Sequence, residues 1–386
     1  MLKKILIGLL VTIMILTALA YMTGNGFIIT AVQKTYLVGY KTANVNDHNV
    51  FETRKIVTGA AQNLSKHPQY NTAPFSKALT DNLERNNAIA YLVLRDGQIL
   101  SEHYFKGYTN RSKTNSFSMA KTVLTLMVGI AIEEGHIESF EQSLTDFIPE
   151  FKSDPLGSKA TLANLSLMNS GYEWTEKYYS PFSPTVKLYY GPDVESFLLE
   201  GEFSAEPGSY WEYSSASTQL LAIALLRSLQ KQNPEQTLSN YLSNKLWLPL
   251  GMNDDALWHT DEQGLELTYC CLNTNARNYA KLGQLMLNNG QWNERQLVAQ
   301  SHIKKMIQPD GHSGYGYSTW LSINRQPSYY WFSGHLGQYI IVIPEHNTVI
   351  VKLGEARETI EANDTFRETE LPTLIQETIK TLPNGG

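Results

Sequence analysis

Cysteine is almost absent. Only Cys270 and Cys271 occur in 386 residues, and they are adjacent. Neighbouring cysteines rarely form a structural disulfide and two are too few for a metal site, so both read as packing residues. The nine histidines are scattered, with no His-Glu-x-x-His and no paired ligand spacing. That speaks against a metalloenzyme, and no cofactor is implied. No Gly-x-Ser-x-Gly occurs, so an ordinary Ser-His-Asp hydrolase is not indicated. No basic run is present and the net charge is 31 − 37 = −6, which argues against nucleic acid as a partner. Internal repeats are absent too. What is abundant is core material: 42% hydrophobic and 11% aromatic residues suffice for one large domain or two closely packed ones.

One end of the chain does carry a long apolar run. Lys3-Lys4 precede an uncharged stretch from Ile5 to about Met22, and apolar character resumes at Phe27-Ile28-Ile29. Residues 1–30 read either as a signal peptide cleaved near Ala20 or as a membrane anchor over residues 5–29. Both place the bulk of the chain on the periplasmic or extracytoplasmic side, because the two lysines hold the N-terminus in the cytoplasm. Residues 31–75 are polar and irregular and read as a linker or a loosely packed entry segment.

From residue 76 the pattern is that of one domain. Residues 88–94 and 98–105, joined through Asp96-Gly97, form a hairpin. Strands are predicted again at 316–323, 329–332, 338–343 and 348–353. Helices are predicted at 161–168, 218–230, 238–246, 275–287, 301–307 and, finally, 365–382. The fold class expected is α+β: an antiparallel sheet closed by both ends of the domain and flanked by helices, with a mainly helical insertion over about 140–310.

Chemistry points first to residues 116–131. Between Met119 and Ala131 the only charge is Lys121, so the helix is expected to be buried on most sides. Ser118 stands at its start, three residues before Lys121 and on the same face. Burial lowers a lysine pKa, and an amine so tuned can take a proton from a hydroxyl. Ser-x-x-Lys also occurs at Ser228–Lys231 and Ser301–Lys304, but those sit at a polar helix end and a helix start and read as structural. A second element, Tyr213-Ser214-Ser215, offers a phenol that can relay a proton. A third, Phe332 to Gln338 with Gly334 and Gly337, allows close backbone approach at the head of a buried strand. A backbone N–H there, with that of Ser118, can form an oxyanion hole.

These three elements, in this order, resemble the serine β-lactamase and penicillin-recognising superfamily in its class C-like branch, over about residues 85 to 355. Leu165–Gly171, Pro207-Gly208, residues 273–283 and the run Met286 to Asn293 add to the likeness. The last of these and the 334–338 turn lean toward 6-aminohexanoate-dimer hydrolase-like and esterase-like members. The resemblance implies an acyl-enzyme on Ser118, with Lys121 as base and Tyr213 as proton relay. It implies a small amide or ester substrate. The family's Lys/His-Thr-Gly triplet aligns with residues 332–334, making His335 the second oxyanion donor, or with residues 335–337, making Gln338 the donor. Counting back from the strand that ends at Pro344 favours the first. Ser215 stands where the family's Tyr-Ser-Asn pattern has Asn, and the first register has no lysine. Both departures point away from β-lactams and toward an amidase or esterase. Gly334, Ser215, Tyr190 and Asp193 are further candidates for binding substrate. The alternative reading is a non-hydrolytic, penicillin-binding-like sensor or peptidoglycan-binding module of the same fold.

Overall fold

The computed structural model describes residues 1–312, 314–357, 359–362 and 365–383, with 359–362 and 365–368 in backbone only. A six-stranded antiparallel sheet organises it. The spatial order is Gln98–Tyr104, Ala88–Arg95, Thr348–Gly354, Gln338–Ile343, Tyr329–Gly334, Trp320–Ser322. Arg95 lies opposite Thr348 and Ala90 opposite Leu353, so the early hairpin and the late strands close one sheet. Its inner strands are mainly apolar because both faces are covered, and the buried cation among them, Lys352, is paired with buried Glu370 at 3.1 Å. Successive side chains alternate between faces. Ile340, Val342, Val349 and Val351 enter the main core. Tyr339, Ile341, Ile343 and Ile350 enter a second cluster with Leu79, Leu83, Leu371, Leu374 and Ile375, brought by the helices Lys77–Arg85 and Glu370–Lys380.

On the main-core face, the helix Ala276–Leu287 lies against the central strands. A Cβ on Gly283 would come within 2.5 Å of Val349 Cγ1 and 2.7 Å of Ile340 Cγ2, so glycine sets how close this helix can come. The helix Met119–Glu133 is buried continuously from Met119 to Ala131, as its unbroken apolar run predicts. Between these parts, residues 140–310 carry the helices Leu162–Ser166, Pro184–Tyr190, Val194–Leu199, Ser215–Gln230, Leu238–Leu242, Ala276–Leu287 and Gln300–Met306. The helix Leu2–Met22 is long and apolar enough to cross a membrane, and none of it is buried.

Four differences from the expected pattern have physical reasons. A second sheet, ordered Thr53–Ile56, Ala256–His259, Leu272–Thr274, Thr114–Asn115, is made of strands too short to show alternation. Residues 31–75, expected as a linker, are stitched into the body. Tyr189 Oη donates to Asp47 Oδ2 at 2.7 Å, Arg54 pairs with buried Glu266 at 2.8 Å, and Lys281 Nζ donates to the Gln62 carbonyl at 2.7 Å. The polar composition of this segment serves internal pairing rather than solvation. The last helix spans Glu370–Lys380 rather than 365–382, because Thr365–Glu368 pairs as a strand with Thr359–Ala362. Cys270 and Cys271, expected as unpaired packing residues, are disulfide-bonded to each other. Cys271 adopts a φ of +73°, which turns this dipeptide back on itself, and both residues still lie in the core.

Candidate active site

The loop before Ser118 is held from several sides. Asn115 N–H donates to the Val45 carbonyl and Ser116 N–H to that of Leu272, each at 2.8 Å. Asn115 Oδ1 accepts the Phe117 N–H at 2.8 Å. Phe117 has a φ of +44°, a left-handed conformation that costs a non-glycine residue strain and persists only where its surroundings enforce it. The kink delivers Ser118 to the first turn of its helix. Its hydroxyl makes no capping bond, which leaves it for chemistry.

Lys121 is 1% exposed. Its Nζ lies 3.3 Å from Ser118 Oγ, 3.2 Å from Ser215 Oγ and 2.8 Å from the Tyr269 carbonyl oxygen. Burial lowers its pKa to about 8, with the Glu176 carboxylate pulling in the opposite direction. Glu176 accepts from Ser215 Oγ at 2.7 Å, from Ser215 N–H at 2.9 Å and from Trp174 Nε1 at 2.6 Å. This arrangement fixes proton direction. An ionised carboxylate only accepts, so the Ser215 hydroxyl gives its proton to Glu176 and presents a lone pair to Lys121. The neutral amine has two N–H bonds. They go to Ser215 Oγ and the Tyr269 carbonyl, and the nitrogen lone pair is left facing Ser118. Glu176 is therefore expected to set the titration of Lys121. Glu176→Gln should move the acid limb of a kcat/KM–pH profile to lower pH, since the field that raises the Lys121 pKa is gone. An unmoved limb would show that Glu176 acts only as packing.

Tyr213 is buried beside this pair, its ring centroid 5.1 Å from Lys121 Nζ and stacked on Trp320 at 5.7 Å. Ser118, Tyr213, Tyr178, Gly334, His335 and Arg357 line one end of a cleft. The other end is lined by Thr42, Ala43, Phe117, Thr185, Val186, Tyr189, Tyr190, Tyr269 and Cys270, with Ser118, Tyr178, Ser215 and His335 shared or adjoining.

The hairpin between Tyr329–Gly334 and Gln338–Ile343 abuts the serine. A Cβ on Gly334 would sit 2.2 Å from the Ser116 carbonyl oxygen, so the backbone here touches the serine loop directly. The Ser118 and His335 backbone N–H groups make no hydrogen bond among the described residues. Gly334→Ala is accordingly expected to lower kcat by tenfold or more by pushing the hairpin off the loop, checked by kinetics alongside thermal unfolding. Wild-type kcat would contradict that contact.

His335 is stacked on Tyr178 at 5.1 Å and meets Phe117 edge-on at 5.5 Å. Burial, aided by the Arg357 charge, lowers its pKa to about 3, so its imidazole is neutral. Gln338 is elsewhere. Fully buried, its Nε2 donates to the carbonyls of His335, Leu336 and Gly354, and it clamps the hairpin. Tyr190 lines the cleft. Asp193 instead caps the helix Val194–Leu199 through the Ser196 N–H and hydroxyl. Sequence reasoning missed Glu176, Tyr178 and the Tyr269 carbonyl. The serine at 215 was the available signal, since a hydroxyl in that place needs a partner from another segment. The two other Ser-x-x-Lys spacings are structural: Ser228 bonds to the Leu225 carbonyl, and Ser301 and Lys304 are both exposed. No cluster of three or more His, Cys, Asp or Glu side chains suited to a metal ion occurs among the described residues.

The chain is similar to known proteins over most of its length. It is 25% identical over 299 residues to the 6-aminohexanoate-dimer hydrolase of Paenarthrobacter ureafaciens, covering 71% of this chain and 74% of that protein. A solved Bacillus anthracis structure, described as that of a 6-aminohexanoate-dimer hydrolase, superposes with a TM-score of 0.73 at 23% identity, covering 87% of this chain and 92% of the other. A family VIII carboxylesterase superposes with a TM-score of 0.60 at 15% identity, covering 83% and 99%. The family model described as Beta-lactamase matches residues 76–367. With three quarters of its length matched by that model, the chain belongs to the β-lactamase family.

Proposed function

We propose that the protein is a serine hydrolase that cleaves an amide or ester through an acyl-enzyme on Ser118. The observation that carries this is the Ser118 hydroxyl 3.3 Å from the amine of a buried lysine whose pKa lies near 8. At pH 7 about one tenth of such an amine is neutral, against about 0.03% for an unperturbed lysine, a gain of about 300-fold in the competent base. In this reading Lys121 takes the proton of Ser118 as the oxygen attacks the substrate carbonyl. The backbone N–H groups of Ser118 and His335 receive the oxyanion, and Tyr213 passes the proton to the leaving nitrogen or oxygen. Water then releases the acyl group by the reverse path.

The relatives named above, an amide hydrolase and a carboxylesterase, support this class of substrate. The lack of a lysine in residues 332–334 weighs against β-lactams. We further infer that the helix Leu2–Met22 anchors the protein on the extracytoplasmic side of a membrane, on its length and hydropathy and on the two lysines in its first turn. Turnover of 4-nitrophenyl butyrate and of a 6-aminohexanoate amide by the purified full chain tests the catalytic reading. Multiple turnovers of either support it. Labelling of Ser118 without turnover would make the protein a receptor of the same fold.

A further inference from the structure

The chain that leaves the apolar N-terminal helix forms part of the cleft. After Met22 comes the helix Gly26–Lys34, about 14 Å long, which packs on Pro184–Tyr190 and buries Phe27. Eight residues beyond it, Thr42 and Ala43 stand in the cleft wall with Thr185, Val186 and Tyr189. The candidate active site is thus tied to the apolar helix by a short, folded connection.

Exposed apolar side chains adjoin both of these helices in the chain. Beyond Met22, eleven large hydrophobic residues are exposed among the described residues. Tyr36, Leu37, Val38 and Tyr40 follow the helix Gly26–Lys34, and Tyr179 and Phe182 lie in the loop that leads into Pro184–Tyr190. These six account for more than half, with Leu37 at 74% and Phe182 at 71% exposure. Scattered exposed hydrophobics are ordinary, but six in the two segments that flank a packed helix pair next to a membrane-length helix mark an interaction surface. The charge pattern identifies the partner. The first 46 residues contain no Asp or Glu, and Lys3, Lys4 and Lys41 are exposed, in a protein of net charge −6; their fourth lysine, Lys34, is turned inward over the Phe51 ring at 3.8 Å. Tyrosines, lysines and aliphatic side chains beside a membrane-length helix suit the headgroup region of a bilayer.

We propose that this rim rests in a lipid surface and that the cleft takes esters or amides carrying a long apolar acyl chain drawn from that surface. The proposal rests on the hydrolase reading above and names its substrate class. The cleft wall fits such a chain: Ala43, Phe117, Val186, Tyr189 and Tyr190 line it, and no charged side chain does so at this end. The substrate enters past Leu37 and Phe182, and its carbonyl reaches Ser118 at the cleft's inner end.

The test uses the full chain reconstituted in phosphatidylcholine–phosphatidylglycerol vesicles. An environment-sensitive fluorophore on Phe182→Cys, and separately on Leu37→Cys, is expected to shift to the blue and to be quenched at least twofold by doxyl-labelled lipid. A water-like emission spectrum with no quenching overturns the proposal, as does shielding by a second copy of this chain, seen as cross-linking without quenching. Turnover is read on 4-nitrophenyl butyrate in water and on 4-nitrophenyl palmitate within the bilayer. Leu37→Asp/Phe182→Asp should lose tenfold or more on the palmitate and keep butyrate turnover within twofold. Equal turnover of both esters by this variant and the native protein sinks the lipid-feeding proposal and leaves the hydrolase reading intact. If the native protein cleaves neither ester, the substrate class fails; the hydrolase reading fails with it only if the 6-aminohexanoate amide is not turned over either, and the quenching still decides whether the rim meets lipid.

Discussion

Lys121→Met is expected to lower kcat/KM by about 10³-fold and to raise the stability of the fold. The loss follows from removing the amine beside Ser118, since a positioned general base contributes on the order of 10²–10⁴-fold. The gain follows from what the lysine costs. Burial depresses its pKa from 10.5 to about 8, so the unfolded chain binds a proton more tightly than the folded one. Between pH 8 and 10.5 the unfolded state carries the extra proton, and stability rises with pH. Below 8 both states are protonated and the full penalty stands, about 3 kcal/mol at 1.36 kcal/mol per pKa unit. Methionine fills a similar volume without a charge, so thermal unfolding at pH 7 should move upward by several degrees. The native protein should show kcat/KM rising about tenfold per pH unit below 8 and levelling above it, and the variant should lose that limb. A variant that is both less active and less stable would mean that Lys121 is held mainly by its hydrogen bonds to Tyr269 and Ser215.

The largest effect is expected at Ser118. Ser118→Ala should reduce turnover by about 10⁴-fold or more, the scale on which removing a covalent nucleophile acts. It should leave the unfolding temperature within a degree or two, because this hydroxyl caps nothing and its partner is the lysine amine at 3.3 Å. Retained turnover within tenfold would remove Ser118 from the reaction. The contrast between the two substitutions is informative in itself: both remove activity, and only the lysine change is expected to alter stability.

Much of this arrangement was legible in the sequence. A lone cation within an apolar helix needs a reason to be there, and Lys121 is where Ser118, Ser215 and the Tyr269 carbonyl meet. The hairpin through Asp96-Gly97 and the two glycines after Phe332 were readable because turns demand particular residues. Glu176 was not readable. A single carboxylate in an aromatic loop has no periodicity to place it, and its role depends on a serine 39 residues away. Residues 31–75 misled for the opposite reason. Their polarity suggests solvent, whereas Asp47, Arg54 and the Gln62 carbonyl are satisfied inside the fold. Gln338 and Asp193 show the limit of a resemblance carried by local motif. Each is close in sequence to a cleft residue, but Gln338 Nε2 holds backbone carbonyls of the hairpin and Asp193 caps a helix.

The most direct test of the Ser118–Lys121 assignment is a peptide map after brief exposure to a fluorophosphonate, run at pH 6 and pH 9. One adduct is expected, on the peptide that contains Ser118, absent in Ser118→Ala and forming more than tenfold faster at the higher pH. An adduct on another residue, or labelling of Ser118 at the same rate at both pH values, would contradict it.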